Sequence, residues 1–202
     1  RLMHDHKVRF DSKRGIRLET HVCHTKRMIM KRMWWRYYIG TRRQDRSLKA
    51  TLTTRSVKHW RGCTVHDASY VACVQLRGSE RAIVETVLAV AKPGVRFYSP
   101  ECLSGMYEVR NMVIYWPGKC PLAMICPVSF HWVPLTKESS VRRDHRRAWM
   151  WVHESARPDA LRALQRASEL VKSSVAVDDL RGALVRFEVR GSRAETFVLG
   201  DE

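Results

Sequence analysis

Residues 69–91 read SYVACVQLRGSERAIVETVLAVA, and their pattern decides the fold class. The first ten, SYVACVQLRG, have the β-rich composition of a buried strand, and Gly78 and Ser79 end it. Ser79 is a helix N-cap type, after which Ala82, Ile83, Thr86, Val87 and Val90 recur at helical spacing. Outward from this strand–helix unit, VRFYS (95–99) follows the Lys92-Pro93-Gly94 turn as a short strand. YEVRNMVIYW (107–116) and MICPVSFHWV (124–133) are two further strands, parted by a turn with Pro117, Gly118 and Pro121. ESSVRRDHRR (138–147) reads as a charged loop and AWMWVH (148–153) as a strand of large residues. Pro158 suits the first turn of a helix, and DALRALQRASELV carries Leu161, Leu164, Ala167 and Leu170 as its apolar stripe. ALVRFEVRG (183–191) alternates apolar with charged. Two strand–helix–strand units, 67–98 and 148–190, with strands between them, predict an α+β domain on a mixed or antiparallel sheet with helices on one face. Their similar layouts hint at an internal duplication.

The 202 residues include 37 Lys/Arg and 20 Asp/Glu, a net charge of +17. Residues 1–66 hold 18 of the basic and 4 of the acidic residues; the remainder is close to balanced. That break predicts two regions: a basic arm over 1–66 and a globular body over 67–202. Positive charge so concentrated repels itself unless a polyanion neutralises it, which points first to nucleic acid and second to an anionic membrane surface. No run approaches the roughly 18 apolar residues of a membrane-spanning helix, and no membrane partner is expected. The chain opens at Arg1 without a signal-peptide pattern, so any targeting segment is expected to lie outside it.

Within the arm, Leu18, Val22, Thr25, Ile29 and Met33 recur every three or four residues and predict one helix over 14–38, buried along that stripe. On such a helix Arg17, His21, His24, Met28, Lys31 and Trp35 share another face, with Arg27 behind. Gly40 is its stop, and residues 41–62 read as an extended basic segment. KRMWWRYYIGTRR interleaves Trp34, Trp35, Tyr37 and Tyr38 with Lys31, Arg32, Arg36, Arg42 and Arg43. Stacking of bases on aromatic rings beside phosphate-neutralising cations is how proteins hold irregular RNA.

Other chemistries find little support. The six cysteines form no CxxC pair and match no zinc module, so they are expected as free, mostly buried thiols. On a helix Cys23 points away from His21 and His24, and no metal site is expected. GxxxxGK[ST], GxGxxG and GxSxG are absent, and no Cys/His pair has a nucleophile's sequence context. Asp178 and Asp179 read as a solvated turn.

LETHVCHTKRMIM (18–30) resembles the L-E-T-H-x-W-H-A-K-R-x-x-M signature of the largest protein subunit of eukaryotic ribonuclease P and ribonuclease MRP, the Pop-one family. The likeness continues in order: DASYVACVQLRGSE resembles the D-x-S-Y segment, Cys102-Leu103-Ser104-Gly105 its C-L-S-G, PVSFHW (127–132) its P-V-T-F-x-W, and WMWVH (149–153) its W-I-W-L-H. Cys23, Thr25 and Met28 depart from the signature's Trp, Ala and Phe. The arginine-dense segment before the signature and most of the long C-terminal half have no counterpart, so a trimmed or reduced member is expected.

The resemblance implies a non-catalytic scaffold that threads basic segments along the ribonuclease P or MRP RNA and docks other protein subunits. The RNA, with its own magnesium ions, would cut precursor tRNA or precursor rRNA; the protein binds no cofactor. It implies a nuclear and nucleolar location, and a fold likened to the aminomethyltransferase (T-protein) family. The expected RNA contacts are Arg14, Arg17, His21, His24, Lys26, Arg27, Lys31 and Arg32 on the signature helix, with Trp35 as the stacking ring. Arg36, Arg42, Arg43, Arg46 and Lys49 continue along the arm. Two alternatives stay open: a structural protein of another ribonucleoprotein such as a mitochondrial ribosome, and a stand-alone enzyme of the aminomethyltransferase type.

Overall fold

The computed structural model describes residues 15–43, 63–135 and 146–200. The chain divides into two compact units, Arg1–Tyr70 with Val185–Glu202, and Val71–Leu184. Expectations for Arg14, Arg46, Lys49 and most of the 138–147 loop lie outside the described residues.

In the second unit, β5 (Val71–Gly78), β6 (Glu108–Tyr115), β7 (Met124–Trp132), β8 (Arg146–His153) and β9 (Ala176–Asp179) form one sheet, ordered β6-β7-β8-β5-β9. Every neighbouring pair is antiparallel. Alternate residues of β7 and β8 are buried, among them Val128, Phe130, Trp132, Ala148, Met150 and Val152. They form one core with α2 (Glu80–Val90) and α4 (Arg157–Val171). The sequence reading holds closely for α2: its Ser79 accepts from the Ala82 N–H at 3.2 Å, and Ala82, Ile83, Thr86, Val87 and Val90 are its buried residues.

Three details differ. Residues 95–99 form no strand; Phe97 is buried, and its carbonyl accepts from the Trp132 indole at 2.8 Å instead of extending a ladder. Leu170 is 62% exposed, because α4 packs through Ala160, Ala163, Leu164 and Ala167, one face over from the expected stripe. Asp178 and Asp179 lie in β9, not in a solvated turn. Asp178 pairs with Arg77 at 2.6 Å and Asp179 with Arg157 at 2.6 Å. Arg157 and Arg181 also meet the buried Glu154 at 3.1 and 3.0 Å, tying the start of α4 to β9.

The segments of resemblance in this unit are core-forming. PVSFHW and WMWVH are paired neighbours, with Val128 opposite Val152 and Phe130 opposite Met150. The Cys102–Gly105 segment, which overlaps α3 (Pro100–Leu103), ends on a glycine the fold requires. Gly105 has φ +79°, and a Cβ there would lie 2.8 Å from the Trp132 carbonyl and Pro134.

The first unit replaces the expected 14–38 helix. It contains β1 (Ile16–Arg17), a five-residue α1 (His21–Thr25), β2 (Met28–Arg32) and β3 (Tyr37–Arg43), with sheet order β1-β3-β2. β4 (Cys63–Asp67) pairs antiparallel with β10 (Phe187–Gly191), and α5 (Ala194–Leu199) follows. Of the expected buried stripe, Leu18 is buried, but Val22 and Ile29 are 39% and 38% exposed. The small core here is Ile16, Leu18 and Tyr37, with Trp35, Ile39 and Tyr70 against it. These aromatic and β-branched residues favour a pleated surface over a helix, where they lose side-chain freedom.

Candidate nucleic-acid interface

β1, β3 and β2 lie side by side, so residues opposite one another share a sheet face. Arg17 is opposite Tyr38, and Tyr38 is opposite Arg32. One row of the sheet is therefore a tyrosine flanked by two exposed arginines. The His21 ring stands edge-on to Tyr38, 5.9 Å between centroids. Gly40, one pleat along on the same face, lies under Met28, whose side chain would clash with any Cβ there. Ile16 and Tyr37 point to the opposite, buried face.

Lys26 and Arg27 form the exposed turn from α1 into β2. Lys31 is exposed on β2 and Arg42 on β3; Arg43 lies opposite Met28 in the ladder. His24 is half-buried, a ring nitrogen 3.4 Å from the Thr20 hydroxyl. The structure thus gathers Arg17, His21, Arg32 and Tyr38 around one row, with Lys26, Arg27, Lys31 and Arg42 on the same three-stranded sheet and its turn.

The aromatic pair is arranged differently from the helical expectation. β2 reverses into β3 through Met33–Arg36. The Arg36 N–H donates to the Met33 carbonyl at 2.9 Å and the Met33 N–H to the Tyr37 carbonyl at 2.8 Å. Arg36 closes the turn at φ +78°. Trp35 packs half-buried against the Ile16–Leu18–Tyr37 core, while Trp34 is 76% exposed at the tip. The two indoles meet edge-to-face, 5.4 Å apart. A helical wheel favours Trp35; only the turn reveals Trp34, and the adjacency of both rings to Arg36 and Lys31 is the signal the sequence offers.

Sequence reasoning also passes over Asp67, which holds the signature segment in place. This carboxylate is 3% exposed. It accepts from the Thr20 N–H at 3.0 Å, the Thr20 hydroxyl at 2.8 Å and the Ser69 N–H at 3.0 Å. Burial alone would raise its pKa, but the hydrogen bonds from Ser69 and Thr20 outweigh burial and hold it below the ordinary carboxylate value. The LETH and DASY segments are therefore joined through one ionised side chain.

Charge pairing sets the three-stranded sheet apart from the five-stranded one. Among the described residues, Arg17, Lys26, Arg27, Lys31, Arg32 and Arg42 meet no carboxylate, whereas in the second unit Arg77, Arg81, Arg110, Arg157, Arg162 and Arg181 each pair with one, and Arg96, Arg147 and Arg166 do not. Cys73, Cys102 and Cys126 are buried thiols, and burial, with Asp159 adding to it, pushes the Cys126 thiol up to about 11. His153 is lowered by burial against the opposing pull of Glu154.

Residues 3–79 match the family described as ribonucleases P/MRP protein subunit POP1, N-terminal. The human ribonucleases P/MRP protein subunit POP1 is 30% identical over 167 residues, covering 80% of this chain and 16% of the human protein. The Arabidopsis thaliana protein of that name is 28% identical over 207 residues, covering 88% of this chain and 24% of its own. Ribonucleases P/MRP protein subunit popl-1 of Caenorhabditis elegans is 27% identical over 172 residues, 85% of this chain and 20% of that one. The chain spans 16–24% of the length of these curated relatives. Both the signature segment and the D-x-S-Y anchor lie within the matched residues, and over most of its own length the chain is similar to part of the ribonucleases P/MRP protein subunit POP1.

Proposed function

We propose that this chain is an RNA-binding scaffold element of a ribonuclease P or MRP ribonucleoprotein, and that it takes no covalent part in cleavage. The observation that carries the reading is the contrast in charge pairing: Arg17, Lys26, Arg27, Lys31, Arg32 and Arg42 stand exposed without carboxylates, while the paired arginines of the second unit named above are neutralised internally. Arginines without carboxylates, flanking a tyrosine on a sheet, suit phosphates with a base or sugar between them. The matched relatives are named as protein subunits of ribonucleases P/MRP, which supports a place in such an assembly; an RNA partner, other protein subunits and precursor tRNA or rRNA as the indirect substrate complete the proposal. On this reading the magnesium ions of the reaction sit on the RNA, and the nucleus and nucleolus are the place of work.

Binding of the full chain to ribonuclease P or MRP RNA, measured against salt, tests the reading. Arg17→Ala with Arg32→Ala should weaken binding, and the slope of log K against log salt should fall by about 0.7–0.9 for each phosphate no longer neutralised. An unchanged slope removes the Arg17–Tyr38–Arg32 row from the interface. Incubating the RNA-free chain with precursor tRNA should give no cleavage; protein-only cleavage overturns the scaffold reading.

A further inference from the structure

The turn between β2 and β3 is built from residues that do not suit a turn. A hairpin reversal followed by a left-handed residue normally places glycine at that last position, with small polar residues in the reversal. Here the sequence is Trp34-Trp35-Arg36, with arginine at φ +78°. An L residue other than Gly, Asn or Asp in that region carries a backbone cost that must be met elsewhere. Trp35 has a structural reason, since it packs on the small core. Trp34 has none within the unit: its indole is 76% exposed, and Trp35 props it edge-on. The exposed residues nearest it in sequence are basic, with Lys31 and Arg32 just before it and Arg36 just after.

We propose that this tip presents Trp34 as a stacking platform for one unpaired RNA base, with Arg32 on a phosphate flanking that nucleotide. The inference rests on the RNA-binding reading above and narrows it to a structural feature of the RNA. A ring standing clear at a hairpin tip has an open face, as a stacked base requires; a base within a continuous helix has both faces covered by its neighbours. The target is therefore a bulge, a loop or a strand end rather than an unbroken duplex. A protein partner would favour an indole ringed by apolar residues or by carboxylates facing its own cations, and the exposed residues beside it in sequence are cationic.

The experiment uses the full chain and two RNA probes: a hairpin with a fully paired stem, and the same hairpin carrying one unpaired adenosine in that stem. The wild-type chain should prefer the bulged RNA. Trp34→Ala should lower affinity for the bulged RNA by about five- to 150-fold, leave the paired RNA within about twofold, and leave the salt slope unchanged. Trp34→Phe should retain most of the preference, and Trp34→Leu, apolar but without a π face, should not. Circular dichroism should be unaltered throughout, because the side chain is exposed.

Arg17→Ala with Arg32→Ala should behave oppositely, weakening both RNAs and flattening the slope. A Trp34→Ala chain that binds both probes as wild type does, or that binds both more weakly by the same factor, overturns the stacking assignment while the arginine result keeps the wider reading. Failure of the wild-type chain to bind either probe overturns both.

Discussion

Asp67 is a buried acid in the more basic unit, and its three hydrogen bonds make it the residue on which the signature segment depends. Its pKa lies below the ordinary value of 3.8 in the folded chain, so the folded state binds its proton less readily than the unfolded state. The stability this adds is fully present above the unfolded pKa and is lost as pH falls through the folded one. Asp67→Asn should cost about 1–3 kcal/mol at neutral pH, because the amide accepts at only one atom and leaves a buried donor poorly met. The variant should also show a flatter stability curve below about pH 4. Urea unfolding across that range checks both; an acid limb matching the wild type would place the pH dependence elsewhere. Little of this is legible from sequence, since Asp67 and Thr20 are 47 residues apart and nothing local links them.

At the scale of elements, most of the second unit is readable from sequence, β9 and residues 95–99 apart, whereas the 14–38 segment of the first is not, for one physical reason. In α2 the cap, the apolar stripe and the buried face all agree, so helical period and helical structure coincide. Ser79→Ala should therefore cost about 1 kcal/mol, read from thermal or urea unfolding, by leaving the Ala82 N–H without its acceptor. In residues 14–38 the stripe of Leu18, Val22, Ile29 and Met33 mixes a buried residue with exposed ones, because β2 leaves Ile29 on the open side. An apolar residue on a solvated strand face is enough to imitate a helical repeat in a short window. The Arg36 backbone separates the two structures experimentally. Arg36→Gly should stabilise the hairpin by about 0.5–1 kcal/mol, the left-handed penalty removed less the added chain entropy. On the helical alternative it would destabilise by about as much.

For the molecule as a whole, charge is segregated along the sequence, but the unit carrying it is closed by residues from the far end. β10 pairs with β4 from Phe187 opposite Asp67 to Gly191 opposite Cys63. The Thr64 hydroxyl reaches the Arg190 carbonyl across 126 residues, and the Ala68 N–H donates to the Arg186 carbonyl at 2.8 Å. The compositional break near residue 67 cannot announce this, because long-range strand pairing leaves no periodic trace, and 183–191 reads locally as one more strand. The pairing makes Asp67, and through it Thr20, dependent on the chain's last strand. Ending the chain after Leu184 removes β10 and α5 but none of β5 to β9 or their two packed helices. The truncated chain should keep the far-ultraviolet signal and protected amides of the five-stranded sheet while the amides of 63–67 exchange freely. Its RNA affinity should drop even though every arginine and lysine of residues 1–66 is still present. Hydrogen exchange and salt-dependent binding on the same sample decide it. Unchanged affinity would mean that the basic residues act as a loose polycation, independent of the β1–β3 sheet and the arginine–tyrosine row it displays.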